Sequence, residues 1–421
     1  MYYKKAIVSF AIVSLYSVQA AYYEASDYST PQYIINNDSD ENPDRFISLY
    51  SGYFTSQHNV HDLTTFGIEL LNAGDCLLHK IEDNPVLRNV GLGIFSYIYY
   101  VYQLTLHEVG HGLRIKAHKR DYQLNLASDN RKFSKDECFW KYFVRSLFNA
   151  NLSGNTTYYP LKRDTKNLAK EKLIVAAGGI NSETYLAERI ANAIWEEQLH
   201  GNLPIAAYMW ARLSPMLYTF NSSTSKGNDI NNMVTSAETL GVNLDKSNLQ
   251  TAYSLALIGG TAYSMICHLA SNHDDIDTVT FHNFRIPDIF PYVTSYGLSY
   301  KFVSGYKISS DILFNFSYER IFKKNKKHEF SLGISGKFNV IDIGSNVYFG
   351  CSGFGFDATV SMKLTAKLNL NCRVASYPAK GLMGERHARY YYQSRGLTDD
   401  SDKQKTRNNM LSVGLSYWYG R

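Results

Sequence analysis

The last third of the chain alternates between apolar and polar positions, which is the period of a β-strand. The clearest run is 354–374, where every even position is apolar or small and the odd positions are glycine or polar. Because a single strand of that length is rare, we expect a tight turn near Leu364–Lys367 and a strand on each side. Similar runs from about Ile286 onward predict an antiparallel β-domain over residues 285–421, with about seven or eight strands.

Two kinds of sheet have this pattern, and they differ in where the apolar face points. A soluble sandwich buries that face against a second sheet, whereas a membrane barrel turns it toward lipid and its polar face inward. The chain contains 34 tyrosines, and aromatic enrichment at strand ends favours a lipid interface. The segment Tyr417-Trp418-Tyr419 resembles the aromatic ending of bacterial outer-membrane proteins, although Gly420 and Arg421 follow it. We therefore predict a small β-barrel that contacts a membrane, with a soluble β-domain as the alternative.

The middle of the chain, residues 62–284, has the longer apolar period of helices and predicts a mainly helical domain. Its two most apolar runs are 90–106 and 251–270, and neither contains an acidic or basic residue apart from His268. Polar, tyrosine and glycine residues dilute the second run, and we expect both to be buried core helices. Polar stretches that predict loops lie near 121–136, 149–168 and 221–248.

One short motif in this region is typical of zinc chemistry: His107-Glu108-Val109-Gly110-His111. On a helix, residues i and i+4 share a face, so both imidazoles can point at one metal ion. Glu108 lies one position round the helix, where its carboxylate can take a proton from a water and pass it to a leaving amine. The alternative is a structural helix with two hydrogen-bonded histidines and a solvated Glu108.

The uncharged segment before the motif predicts that the two histidines are buried, and buried polar groups need partners. Gly110 and Gly112 flank His111, and each glycine costs a helix roughly 1 kcal/mol. Their small size predicts that another backbone or a substrate comes close at this point.

A zinc site also needs a third protein ligand, and the sequence favours Glu183. Asn181 or Ser182 can cap the start of a helix there, and Glu183 falls on the apolar stripe of that helix. A carboxylate on an apolar face needs a partner, which a metal ion would provide. The alternative is that Glu183 only caps the first helical turn. The other acidic candidates are Asp121, Asp129 and Glu188.

The motif resembles that of the zincin metallopeptidases, and it covers only a very small part of the chain. The resemblance implies Zn²⁺ as the cofactor, His107 and His111 as ligands, and Glu108 as the general base that activates a water for peptide hydrolysis. A third ligand from a second helix is similar to the glutamate zincins, which would give that role to Glu183. In the thermolysin-type motif an Asn directly precedes the ligand Glu, whereas here Ser182 does.

Residues 1–20 have the charged start, apolar centre and small-x-small end of a signal peptide, which predicts an exported protein. Residues 21–61 are polar and predict a loose leader. Five widely spaced cysteines without a C-x-x-C pair argue against a cysteine metal site. The net charge of +5 is small and no nucleic-acid motif is present, so we expect no nucleic-acid partner.

Together these features predict a multidomain α+β protein with a helical, zincin-like part followed by an antiparallel β-domain. The predicted function is zinc-dependent hydrolysis of a protein or peptide substrate in the bacterial cell envelope, in the periplasm or at the outer membrane. Two alternatives remain open. One is a site-2-type intramembrane metalloprotease, which also carries this motif within an apolar helix. The other is a non-enzymatic, adhesin-like envelope protein with a structural zinc site.

Overall fold

The computed structural model describes most of the chain between residues 46 and 418. The described ranges are 46–50, 60–81, 84–117, 122–126, 139–149, 154–158, 165–196, 198–199, 202–221, 228–271, 280–321, 327–351, 353–365, 368–378, 383–384 and 407–418. The predicted signal peptide, residues 1–20, and most of the predicted leader lie outside these ranges.

Helices fill the first part of the described chain and strands fill the second, so the predicted α+β organisation in two parts is confirmed at that level. The helices are α1 (Val60–His79), α2 (Pro85–Ala117), α3 (Phe139–Leu147), α4 (Thr165–Trp195), α5 (Asn202–Phe220), α6 (Asp229–Thr239), α7 (Lys246–Leu255) and α8 (Gly260–Ser271). The strands are β1 (Phe46–Tyr50), β2 (Tyr122–Leu126), β3 (Gly154–Tyr158), β4 (Thr280–Phe281), β5 (Phe284–Thr294), β6 (Gly297–Lys307), β7 (Ile312–Ile321), β8 (His328–Lys337), β9 (Ile341–Gly350), β10 (Gly353–Thr365), β11 (Leu368–Pro378) and β12 (Arg407–Trp418).

The large sheet is an antiparallel meander with the strand order β1-β12-β11-β10-β9-β8-β7-β6-β5-β4. Strand β1 comes from the segment predicted as a leader, and its Phe46 lies opposite Trp418 of β12. The predicted turn near Leu364–Lys367 is confirmed, since β10 ends and β11 begins there. Within the described residues the sheet has two edges, at β1 and β4, so a closed barrel is not shown.

Three stretches predicted as loops contain regular structure. Strands β2 and β3 pair with each other as a separate two-stranded sheet. Helix α6 and the start of α7 lie inside the stretch 221–248. The loop prediction was wrong there because Ile230, Met233 and Ala237 form a buried stripe that packs the polar segment against the helical core.

The two apolar runs are only partly buried, which differs from the prediction of core helices. In α2, Val90 and Ile94 are exposed, whereas the stretch from Tyr99 to Ile115 lies mainly in the core. In α8, Tyr263 and Ile266 are exposed. Each described helix falls short of the length or the apolar character that crossing a bilayer would require.

Helices α2 and α4 cross at glycines, and this crossing sets the position of the histidine motif. A Cβ atom on Gly178 would lie 2.6 Å from the carbonyl oxygen of Gly110. Only glycine fits at such a distance, because real Cβ contacts are longer. The close approach of another backbone, predicted from Gly110, is confirmed, and Gly112 lies against the ring of Tyr122.

Helix α4 also attaches the helical part to the sheet. The Asn181 side chain donates to the carbonyl oxygen of Val293 at 2.8 Å and accepts from its N–H at 2.9 Å. About two turns further along, Glu188 accepts from the Lys301 ammonium at 2.5 Å and from the Tyr292 hydroxyl at 2.6 Å. The helix that packs against the histidine motif is therefore held in place by buried polar contacts with β5 and β6.

Candidate metal centre

The two histidines of the motif lie on adjacent turns of α2, and each ring is oriented by an acceptor at Nδ1. The Nδ1–H of His111 donates to the carbonyl oxygen of Val175 at 2.6 Å. The Nδ1 of His107 lies 2.5 Å from Oε1 of Glu183. A proton held at Nδ1 leaves Nε2 as the free ligand atom of a neutral imidazole, which is the arrangement that metal-binding histidines use.

Both Nε2 atoms converge on one carboxylate, that of Asp229 at the start of α6. Asp229 Oδ2 lies 3.2 Å from Nε2 of His111 and 3.5 Å from Nε2 of His107. Asn228 is the N-cap of α6, and its side chain accepts from the N–H of Ile230 at 2.9 Å. The cap fixes the first turn of the helix and with it the backbone of Asp229.

These distances fit a shared divalent cation. Two ligand atoms about 2.1 Å from one zinc ion, at the tetrahedral angle, lie about 3.4 Å apart. The two measured separations, 3.2 and 3.5 Å, bracket that value. His107, His111 and Asp229 are a possible metal-binding triad, with one ligand atom of each lying within 4.8 Å of the others.

The electrostatics of the triad favour positive charge. Burial works to lower the pKa of His107, but hydrogen bonds with Asp229 and Glu183 raise it well above its usual value. Burial also opposes the charge on His111, and Asp229 raises its pKa. For Asp229, burial would raise the pKa, but His111 and His107 hold it well below its usual range. The neighbouring carboxylates therefore stabilise positive charge at the two rings.

Glu108 faces the triad from the same helix as the histidines. Burial raises the pKa of Glu108, and the nearby His111 and His107 offset only part of that effect. The Thr156 hydroxyl from β3 donates to Oε2 of Glu108 at 2.7 Å. The alternative of a solvated Glu108 is therefore not met, because the carboxylate is buried and accepts a hydrogen bond.

The structure places Glu183 behind His107 and not among the converging ligand atoms, which corrects its prediction as the third ligand. Its Oε1 contacts Nδ1 of His107 and its Oε2 accepts from Nε2 of Gln103 at 3.3 Å. The predicted caps are also wrong, because Asn181 and Ser182 lie in the middle of α4. The physical inference that a buried carboxylate needs a partner holds for Glu183, and that partner is an imidazole.

The other acidic candidates do not join the triad in the described structure. Glu188 is buried and contacts Lys301 and Tyr292. Asp121 and Asp129 lie outside the described residues.

Sequence reasoning missed Asp229 and Tyr218. The Tyr218 hydroxyl, from α5, donates to Oδ2 of Asp229 at 3.3 Å and its ring lies 6.2 Å from that of His107. A signal for Asp229 was present, because Asn228-Asp229 is a helix-start pair followed by an apolar stripe. For Tyr218 there was none among 34 tyrosines.

The centre is buried without being sealed. The side chains of His107 and Asp229 remain 13% and 19% exposed. Two imidazoles and a carboxylate in a site that is not fully closed are suited to bind a metal ion with an open position. Comparison of the chain with models of known protein families, with curated proteins and with solved structures finds no match.

Proposed function

We propose that this protein is a zinc-dependent peptidase, with His107, His111 and Asp229 as the metal ligands. The observation that supports it is the geometry of the triad, in which both Nε2 atoms lie at tetrahedral-edge distances from Asp229 Oδ2. Imidazole nitrogen and carboxylate oxygen are donors that zinc prefers, and three protein ligands are typical of a catalytic site. When bound there, zinc would supply a Lewis acid and lower the pKa of a water.

Residues of the chain would transfer the protons and orient the metal ligands. Glu108 takes a proton from the attacking water and passes it to the leaving amine, and its raised pKa suits a group that must do both. Thr156 holds the carboxylate of Glu108 by its hydrogen bond to Oε2. Glu183 and the Val175 carbonyl keep the protons of His107 and His111 at Nδ1.

Tyr218 orients the third ligand. Its hydroxyl contacts Asp229 Oδ2, and the N–H of Asp229 lies 3.4 Å from the same hydroxyl oxygen. The ring of Tyr218 also lies 6.2 Å from the ring of His107. We propose that Tyr218 donates to the oxygen of a substrate carbonyl as negative charge develops on it.

We further propose that the peptidase acts outside the cytoplasm, in the bacterial cell envelope. The support is the sequence of residues 1–20, with its charged start, apolar centre and small residues at its end. Closure of the large sheet into a small barrel belongs to the same proposal. Its support is the continuous meander from β4 to β12, with β1 added beside β12.

The test compares the full chain with Glu108→Gln. We expect wild-type protein to bind one zinc ion per chain by mass spectrometry and to cleave members of a fluorogenic peptide library. Glu108→Gln should keep the zinc and lose roughly 100- to 10,000-fold in kcat, the usual contribution of a general base.

The matched control is Glu238→Gln, which makes the same chemical change on the exposed face of α6. It should bind zinc and cleave peptides like the wild type. Equal turnover by Glu108→Gln and wild type would refute the catalytic role. A folded chain that stays free of zinc at saturating concentration would refute the metal site itself.

A further inference from the structure

The large sheet exposes its apolar side chains and buries polar ones, which is the reverse of a sheet in an ordinary water-soluble domain. On β10, Phe354, Phe356, Val360, Met362 and Leu364 point to one face and are 36% to 52% exposed. Asp357, which points to the other face, is 2% exposed. In a soluble sheet the apolar side is buried and the polar side is wet, so the two faces of this sheet are reversed.

The reversal continues across the neighbouring strands. Register pairs align the apolar positions of β10 with those of β9, and those of β9 with β8. The outward side chains with the greatest exposure on these and the next strands are Phe330, Leu332, Ile334, Ile341, Ile343, Phe349, Val374, Leu411, Val413 and Leu415. Throughout β8, β9 and β10, the described outward positions hold no charged residue.

An aromatic row crosses this apolar face near one end of the strands. Phe302, Tyr318, Phe330, Phe349 and Phe354 lie opposite one another on five consecutive strands. The rings of Tyr318 and Phe330 have centroids 4.6 Å apart, and those of Phe330 and Phe349 are 6.0 Å apart. Just beyond the row, Arg320 lies opposite His328. Aromatic girdles followed by polar residues are typical of the borders of a lipid-facing sheet.

The inner face carries buried charged residues and meets the helical part. Lys301 pairs with Glu188 of α4 at 2.5 Å. Arg373 lies 3.9 Å from Asp62 of α1 and 4.0 Å from Asp357. These buried ion pairs fix which face of the sheet the helices cover. The apolar face therefore points away from the helices.

We propose that the outer face of β7–β12 contacts the hydrocarbon of a lipid bilayer. This inference goes beyond the proposed hydrolysis and does not depend on it. A ten-residue strand is about 33 Å long and, tilted by about 45°, crosses about 23 Å. Strands β8 and β9 have ten residues each and β12 has twelve. The apolar band of membrane sheets is about 25 Å tall, which these strands match.

Lipid explains this surface better than a protein partner or a second copy of the chain. Protein interfaces make about one hydrogen bond per 100–200 Å² and have a polar rim and a mixed composition. Six strands spaced by about 4.8 Å form a surface about 24 Å wide. Between Phe330 and Gly336 of β8, and along β10, its outward side chains carry no N–H, O–H or oxygen acceptor. Hydrocarbon needs no hydrogen-bonding groups on its partner, whereas a protein partner would leave its own polar groups unpaired.

The experiment uses the full chain and vesicles of phosphatidylcholine whose acyl chains carry bromine, which quenches tryptophan fluorescence at short range. Leu332→Trp places the probe on the apolar face, and Thr251→Trp places it on an exposed position of α7. We expect wild type and both variants to float with the vesicles. Bromine should quench additional fluorescence in Leu332→Trp and not in Thr251→Trp.

A charge variant gives an independent readout. Val360→Arg should reduce partition into vesicles roughly 30-fold or more, because arginine on a lipid-facing strand is strongly disfavoured near the bilayer centre. Thr251→Arg should leave partition unchanged. The proposal is overturned if the folded wild-type chain stays in the aqueous fraction, or if Leu332→Trp shows no more quenching than Thr251→Trp. It is also overturned if light scattering shows a lipid-free dimer that Val360→Arg converts to monomers.

Discussion

The assignment of two acidic residues to different roles at the metal site can be tested by changing each in turn. Asp229 faces both Nε2 atoms, whereas Glu183 contacts only Nδ1 of His107. Asp229→Asn and Glu183→Gln remove one charge each and preserve side-chain shape. We expect the two changes to weaken zinc binding to different extents, because the first removes a ligand and the second only its support.

The expected loss of zinc affinity in each variant follows from what the lost contact contributes. Four-ligand structural zinc sites bind with about 10–16 kcal/mol, or about 3 kcal/mol per ligand. Loss of Asp229 as a ligand should therefore weaken zinc binding roughly 100-fold or more. Loss of a supporting hydrogen bond to a ligand typically costs about 10- to 100-fold, so Glu183→Gln should lie in that lower range. Competition with a coloured chelator measures both constants on folded protein.

Spectroscopy distinguishes a metal ligand from a supporting residue more directly than binding constants do. Replacing zinc with Co²⁺ gives a coloured site, and a thiolate ligand adds an intense sulfur-to-cobalt band in the near ultraviolet. Asp229→Cys should gain this band relative to wild type, and Glu183→Cys should not. The opposite outcome, a thiolate band in Glu183→Cys alone, would refute the assignment of Asp229 as the ligand.

Two further predictions concern packing around the centre. Gly179→Ala should lower the free energy of unfolding by about 1–3 kcal/mol and weaken zinc binding, because its Cβ would collide with Nε2 of His107. Gly93→Ala is the control, because its added Cβ meets nothing within 4 Å. This control should stabilise the protein by about 0.5–1 kcal/mol. Equal unfolding midpoints in urea for Gly179→Ala and Gly93→Ala would contradict the packing argument. Glu188→Ala should destabilise by about 3–5 kcal/mol, because it leaves the Lys301 ammonium buried without its carboxylate. A urea titration in which Glu188→Ala unfolds like the wild type would show that this buried pair contributes nothing.

Local spacing predicted the parts of the site that lie within one helix. His107 and His111 could be recognised because the helical repeat places residues i and i+4 on one face. Glu183 was correctly recognised as a buried carboxylate, but its role depends on which face of His107 it meets. That depends on the angle at which α2 and α4 cross at Gly110 and Gly178, and sequence periodicity does not encode this angle.

Asp229 illustrates the limit for residues brought together from distant parts of the chain. Its segment is polar, so composition indicated a loop, while the short stripe of Ile230, Met233 and Ala237 forms a helix against the core. Alternation likewise predicted the strands and the turn between β10 and β11, but period two is the same for either orientation of a sheet. Which face turned outward was decided by long-range pairs such as Lys301 with Glu188.

Strand β1 lies beside β12 although every described helix and ten other described strands separate them along the chain. Such pairing has a very large sequence separation, and contacts of this kind slow folding because long loops must close before they form. Strand β1 is therefore expected to stay unpaired until the rest of the chain has been synthesised and has collapsed. We expect folding to finish with one late step, in which β1 forms its hydrogen bonds with β12.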